Sequence, residues 1–193
     1  FQDESTRNAM ASQVGAMLGF EGLTARDPKP LSAIELAPPR VAPPELGFSI
    51  VGGDTARIQH TYGKSYRDLV RGFVGDYAAA PDLVAFPTNE DDVARLLEWA
   101  NGAKVSVVPF GGGTSVVGGV EAARDLCPNG VVSLDLTGLD RVLEVEESSL
   151  SARIQAGARG PVLEEQLAKH GLTLRCCPQS FAFSTLGCWI PTR

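Results

Sequence analysis

Hydrophobic positions become regular after about residue 76, where they predict a strand, a helix and a second strand. The run Leu83–Phe86 is short and apolar, as in a buried strand. Four apolar side chains then recur at helical spacing: Val93, Leu96, Leu97 and Ala100. Thr88 or Asn89 can cap this helix, and Gly102 is its expected end. Residues 105–108 form the next apolar run, and such a unit normally gives two parallel strands joined by a right-handed crossover.

Beyond residue 130 the pattern predicts three more strands and a helix. Residues 131–136 form one strand, and 141–145 and 150–156 form an antiparallel pair. In 150–156 apolar and polar side chains alternate, as in a strand of a sheet with one solvent-exposed face. Pro161 suits a first helical turn, and the inner face of its helix is expected to hold Val162, Leu163, Gln166 and Leu167. Together these elements predict a mixed α+β fold.

The first 47 residues have a different character. Six prolines exclude a continuous helix or a central strand there: Pro28, Pro30, Pro38, Pro39, Pro43 and Pro44. We expect an extended arm, preceded by a short helix with Val14, Met17 and Leu18 on one face. The predicted division is an N-terminal arm with a helical extension in residues 1–75 and a second domain in residues 76–193.

Residues 109–119, PFGGGTSVVGG, carry five glycines among eleven residues, and we call them the glycine loop. A Walker phosphate loop needs a lysine after its glycines, and a Rossmann turn needs a helix there, but Val116–Gly119 is poor helix material. Consecutive backbone N–H groups beside the hydroxyls of Thr114 and Ser115 can instead form an anion-binding nest, which suits a pyrophosphate. A glycine-rich turn without a ligand is the alternative.

Composition and charge narrow the possible partners. The net charge of −6 argues against nucleic acid and anionic membranes, and no apolar run is long enough to span a bilayer. The start FQDESTRNAM lacks the pattern of a secretory leader. Four cysteines without a CxxC pattern and two distant histidines predict no metal site, reduced thiols and a cytoplasmic protein.

Several charged residues have an ordinary explanation. His60 and His170 are expected at the surface. Lys64, Arg67 and Arg71 fit either an exposed basic face or an approach to a phosphate. The acidic stretch 144–147 is expected to be a solvated strand end rather than a metal site.

The sequence around the glycine loop is similar to a known family. AFPTNEDDVARLLEWANGAKVSVVPFGGGTSVVGGV resembles the start of the PCMH-type FAD-binding domain of vanillyl-alcohol-oxidase-type flavoproteins. The stretches HTYGKSYRDLVRGFVGDY, VVSLDLTGLDRVLEVEESSLSARIQAG and PQSFAFSTLGCWIPTR most resemble the branch of alkyldihydroxyacetonephosphate synthases and FAD-linked oxidases, as does LSAIELAPPRV in the arm. The resemblance implies two small α/β subdomains, the second incomplete, behind a Pro-rich arm.

The resemblance also implies three contacts with FAD. The pyrophosphate would be held by Pro109, Phe110, Gly111, Gly112, Gly113, Thr114 and Ser115. A second segment would line the flavin with Pro178, Gln179, Ser180, Phe181, Ala182, Phe183, Ser184, Thr185, Leu186 and Gly187. A third segment would begin with Pro191, Thr192 and Arg193.

This sequence departs from the family pattern at two of these places. Cys188 stands where the family usually has a second glycine, and Pro191 where a small residue is common, so flavin affinity is in question. The loop offers no nucleophile for covalent attachment, so we expect non-covalent FAD. Family members continue well beyond this point, and we expect the catalytic residues, unknown here, to lie outside these 193 residues.

Three functions are compatible with these observations. The resemblance implies a transferase of ether-lipid biosynthesis that exchanges an acyl for an alkyl group, acting on a lipid-like substrate. An oxidoreductase of D-2-hydroxy acids is the second hypothesis, although its relatives look more like RGAGTGLSGG at the loop. The third is an inactive, truncated flavin-binding module, which would expose apolar surface and therefore need a completing segment or a homo-oligomer.

Overall fold

The computed structural model describes residues 3–190 and contains one four-stranded sheet and one two-stranded sheet. The larger sheet consists of β1 (Ser49–Val51), β2 (Leu83–Phe86), β3 (Ser106–Phe110) and β4 (Val131–Asp135). Its strand order is β1-β2-β4-β3. Strands β2 and β3 both run parallel to β4, whereas β1 is antiparallel to β2. The predicted strand–helix–strand unit is present, but β4 lies between its two strands.

Helix α4 (Glu90–Ala103) connects β2 to β3 and covers one face of this sheet. The Asn89 side chain caps it by accepting a hydrogen bond from the Asp92 N–H at 2.9 Å. Leu96 and Ala100 are buried against the sheet as predicted, but Leu97 is 48% exposed because it lies at the edge of the buried stripe. The predicted end at Gly102 is wrong: the helix continues to Ala103 and stops at Lys104, which takes the left-handed conformation.

The smaller sheet pairs β5 (Val142–Glu146) with β6 (Ser151–Ile154), antiparallel as predicted. Helix α5 (Gly160–Ala168) packs Leu163 and Leu167 into a core that includes Trp189 of α6 (Leu186–Trp189). The predicted alternation in 150–156 is wrong. Leu150 lies in the connecting turn at positive φ and is 77% exposed, whereas Gln155 is buried and its side chain accepts from the Arg141 N–H.

On the N-terminal side lie α1 (Glu4–Leu18), α2 (Asp54–Gln59) and α3 (Tyr66–Val74). Between α1 and β1 a single 3-10 turn, Leu31–Ala33, interrupts otherwise irregular chain, in agreement with the prolines. The apolar face of α1 is exposed rather than packed. Because β1 belongs to the larger sheet, the N-terminal region contributes directly to it, and the boundary at residues 75 and 76 stays a prediction. None of the described helices is long and apolar enough to cross a membrane.

Candidate functional site

The glycine loop leaves the larger sheet at the carboxyl ends of its parallel strands. Pro109 and Phe110 are the last residues of β3, and Phe110 pairs in register with Asp135, the last residue of β4. Crevices at this edge of an open sheet are common ligand sites. The sheet therefore delivers the loop to a position where a ligand can bind.

The first two glycines of the loop face another part of the protein. A β-carbon on Gly111 would collide with the Thr185 hydroxyl and lie 2.9 Å from the Cys188 sulfur. A β-carbon on Gly112 would lie 2.7 Å from the carbonyl carbon of Phe183. Side chains are excluded here because the glycine loop packs directly on the segment of residues 178–188, which we call the second segment. The structure thus brings together the two regions that the sequence predicts as one site.

The third glycine requires its own conformation. Gly113 has φ 64°, in the left-handed region that favours glycine, and its residue is buried. A β-carbon at Gly113 would lie 2.7 Å from the Phe110 ring, so the ring covers one side of this turn. The loop path therefore depends on the position of the Phe110 side chain.

The backbone donors of the loop are available to a ligand. Within residues 3–190, no acceptor pairs with the N–H groups of residues 111–118. The Gly119 N–H donates to the Ser115 hydroxyl at 3.0 Å, which curls the end of the loop. Because an unpaired buried N–H group is costly, the one at Gly113 favours an anion or another acceptor. The loop fits a pyrophosphate on this ground.

The other side of the loop is anchored to α3 and the turn before it. The Lys64 N–H donates to the Ser115 carbonyl at 2.7 Å, and the chain at Gly63 approaches so closely that a β-carbon there would overlap that oxygen. Arg67 and Arg71 both bind the Glu121 carboxylate, at 2.9 Å and 3.0 Å. Both arginines are thus engaged at the end of the loop region, rather than forming only an exposed basic face.

Arg71 is the better packed of the two arginines. Its guanidinium lies 4.6 Å from the centre of the Tyr62 ring. Burial raises the pKa of the Tyr62 phenol, and the neighbouring Arg71 opposes this effect in part. Tyr62 in turn stacks on Tyr77 at 5.7 Å. This aromatic pair connects the turn before α3 to the chain that leads into the larger sheet.

The hydroxyl groups of the second segment mostly contact other protein atoms nearby. The Ser184 hydroxyl donates to the Ser180 carbonyl at 3.0 Å and accepts from the Trp189 indole at 2.7 Å. Thr185 is buried, with its hydroxyl 3.3 Å from the Cys188 sulfur. Phe183 is 68% exposed beside the glycine loop. An aromatic ring therefore remains available for a flat ligand, whereas the Ser184 hydroxyl is already engaged.

The expected third segment at Pro191, Thr192 and Arg193 lies outside the described residues. Among residues 3–190, no group of three or more histidine, cysteine, aspartate or glutamate residues is placed to hold a metal ion.

The surface position expected for His60 is wrong. His60 is buried instead of exposed, and its ring nitrogens face the Ala56 carbonyl at 2.7 Å and the Asp135 carboxylate at 2.9 Å. Its ring also lies 4.4 Å from the Phe110 ring. The only signal in the sequence was Asp135 itself, because a carboxylate at the end of a buried strand needs a partner.

The Asp135 carboxylate is held in its ionised form. Burial raises its pKa, but hydrogen bonds from His60 and from the hydroxyl and N–H of Thr137 outweigh this effect, and the net pKa lies below its ordinary value. A buried negative charge therefore lies beside Phe110, at the start of the glycine loop. His170, by contrast, is exposed as predicted.

The chain is similar to known proteins in both sequence and structure. The model of the family described as "FAD binding domain" matches residues 81–193. Alkyldihydroxyacetonephosphate synthase of Dictyostelium discoideum is 43% identical over 137 residues, which are 71% of this chain. Mitochondrial D-lactate dehydrogenase [cytochrome] of Kluyveromyces lactis is 33% identical over 99 residues, or 51% of this chain and 17% of its own length.

A solved structure of an alkyldihydroxyacetonephosphate synthase superposes with a TM-score of 0.79 at 37% identity, covering 85% of this chain. The matched region is 22% of the Dictyostelium protein and 32% of the solved chain, so this chain spans less than a third of those relatives. The mixed α+β, PCMH-type fold is confirmed by this likeness.

Proposed function

Because the chain belongs to the FAD binding domain family and its cofactor is FAD, we propose that the glycine loop holds the pyrophosphate of that cofactor. Residues 109–115 would supply this contact, with N–H groups from Gly111 to Ser115 directed at the phosphate oxygens. The observation that carries the proposal is that these donors have no acceptor within residues 3–190 although Gly113 is buried. Binding is expected to be non-covalent.

The second segment would lie along the flavin. Phe183 offers an exposed ring, and its backbone lies next to Gly112. Residues 178–187 and Thr192 complete the proposed set of contacts. In the proposed function the flavin supplies the reactive centre, and the residues of this chain bind it, orient it and exclude water. Cys188 fills space beside Gly111 that a glycine would leave open, so it narrows this part of the crevice.

We propose that the protein acts in the manner of an alkyldihydroxyacetonephosphate synthase, exchanging an acyl for an alkyl group on a lipid-like substrate. The support is the 43% identity to the Dictyostelium protein of that name. Residues that act on the substrate are proposed to lie outside this chain. A cytoplasmic location also remains a prediction.

Oxidation of a D-2-hydroxy acid is the second candidate, supported by the 33% identity to a D-lactate dehydrogenase. The loop sequence FGGGTS favours the first candidate over this one. An inactive flavin-binding module is the third. It is supported by the exposed apolar side chains near the loop, including Val116 and Val117, which a completing segment or a second copy would cover.

Absorbance of the purified protein in the near-ultraviolet and blue tests the cofactor proposal. We expect the protein to show a flavin spectrum, and we expect the flavin to appear in the supernatant after denaturation. A colourless protein that quenches no fluorescence of added FAD would contradict it. Candidate hydroxy acids supplied with a dye acceptor then separate the activities, because bleaching of the flavin by such acids supports the second candidate.

A further inference from the structure

His60 occupies a buried position between α2 and the carboxyl ends of β3 and β4. It ends α2, and its ring nitrogens face the Ala56 carbonyl and the Asp135 carboxylate. The other groups around the ring are uncharged: Phe86 at 5.6 Å and Phe110 at 4.4 Å between ring centres. Asp135 is thus the charged group that contacts the imidazole.

The two contacts fix the orientation of the ring. One ring nitrogen of His60 lies 2.7 Å from the Ala56 carbonyl and the other lies 2.9 Å from the Asp135 carboxylate, so the ring is held at both ends. The Asp135 carboxylate is itself fixed, because Thr137 donates to its other oxygen through both N–H and hydroxyl. The imidazole is therefore held between the end of α2 and the end of β4.

The His60 ring is connected to the glycine loop through one side chain. The Phe110 ring packs against His60 and also approaches Gly113 so closely that a β-carbon there would be 2.7 Å away. A side chain without a ring at position 60 would remove the surface on which Phe110 packs.

We propose that His60 is a positioning residue for FAD: its ring, held by Ala56 and Asp135, keeps Phe110 against Gly113, so the loop presents its N–H groups to the pyrophosphate. This inference rests on the proposed function of the loop. It predicts that FAD binds more weakly when the His60 ring is replaced, even in a protein that stays folded.

The test compares the FAD affinity of the flavin-stripped wild type, His60→Gln and His170→Gln, measured by quenching of flavin fluorescence. His60→Gln is expected to bind FAD roughly five- to tenfold more weakly than the wild type, at the low end of common coupling between sites. His170→Gln, at an exposed site, should follow the wild type. Equal affinity of His60→Gln and the wild type overturns the proposal.

Hydrogen exchange of the amides of residues 111–115 gives a measurement without FAD. Faster exchange in folded His60→Gln than in His170→Gln is expected, and equal exchange overturns the positioning role. Thermal unfolding shows that each variant is folded, and where His60→Gln does not fold, His60→Asn takes its place. Wild-type protein that binds no FAD refutes the proposed function instead, and exchange still tests the link from His60 to the loop.

Discussion

Gly112 lies so close to the backbone of Phe183 that a β-carbon on the glycine would be 2.7 Å from the Phe183 carbonyl carbon. Seventy-odd residues of sequence separate the two positions, and this contact joins the glycine loop to the second segment. Both parts of the proposed flavin site are therefore held in one arrangement by a contact between main chains. A side chain at Gly112 has to move backbone atoms, because no flexible group is present to give way.

Gly112→Ala is accordingly expected to destabilise the protein by about 2–3 kcal/mol, the cost of overpacking a tight site. It should also weaken FAD binding, because the two segments separate. Urea unfolding and FAD titration measure the two effects. Gly102→Ala is the matched control: a β-carbon at Gly102 would meet no atom within 4 Å, and the residue lies inside α4. That variant should be more stable by roughly 0.5–1 kcal/mol. Equal stability of both variants would disprove the close approach.

Arg67 and Arg71 provide a second matched pair. Both bind Glu121, but the Arg67 side chain is 69% exposed and that of Arg71 only 25%. Arg71→Ala loses the contact with the Tyr62 ring as well, and is expected to lower the free energy of unfolding by about 1–2 kcal/mol. Arg67→Ala should cost less than about 0.5 kcal/mol, as surface ion pairs do. Chemical denaturation measures both, and a larger loss in Arg67→Ala would contradict the assignment of Arg71 as the anchor.

The fold was largely readable from the pattern of apolar residues, whereas the site was readable only in part. Strand β2 and the buried side of α4 follow from local periodicity, because each element packs one continuous stripe. The high glycine content of residues 109–119 identified the glycine loop as part of a site. The structure shows, however, that Gly111 and Gly112 first accommodate the second segment, and a sequence cannot tell a neighbouring backbone from a ligand.

The misplaced residues share a physical cause. His60 and Asp135 are 75 positions apart in the sequence and meet only because the fold brings the end of α2 next to the end of β4. Gln155 is buried because its side chain satisfies the Arg141 N–H, which periodicity does not encode. Local patterns thus describe elements well, and contacts between distant polar groups need the folded structure.

Asp82 carries a prediction about acid stability. Its fully buried carboxylate binds the Arg40 guanidinium at 2.7 Å and accepts from the N–H groups of Arg40 and Val131. Burial raises its pKa, but these hydrogen bonds outweigh burial, so the net pKa lies below its ordinary value. The resulting stability is present above the unfolded-state pKa of about 3.9 and is lost as pH falls through the folded pKa.

Asp82→Asn should therefore cost about 1.5–3 kcal/mol at neutral pH, because Arg40 and the Val131 N–H lose a charged acceptor. Its difference from the wild type should narrow in acid, as measured by urea unfolding at several pH values. Asp125→Asn, at an exposed aspartate nearby, should change stability by less than about 0.5 kcal/mol. A constant difference at all pH values would show that the Asp82 charge is not the source.

A substitution at Phe183 is expected to change FAD affinity without changing the stability of the fold. Its ring is 68% exposed, so Phe183→Ala removes little packing and is expected to change the free energy of unfolding by less than about 0.5 kcal/mol. If the ring stacks on the flavin, the same change should weaken FAD binding by about 0.5–1.5 kcal/mol, which is the usual range for aromatic pairs. Phe20→Ala, at a ring that is 60% exposed in the arm, is the control and should leave FAD affinity unchanged. Fluorescence titration with FAD measures both variants. Equal affinities for FAD would remove Phe183 from the flavin site while leaving the glycine loop assignment in place, because the loop acts through its backbone.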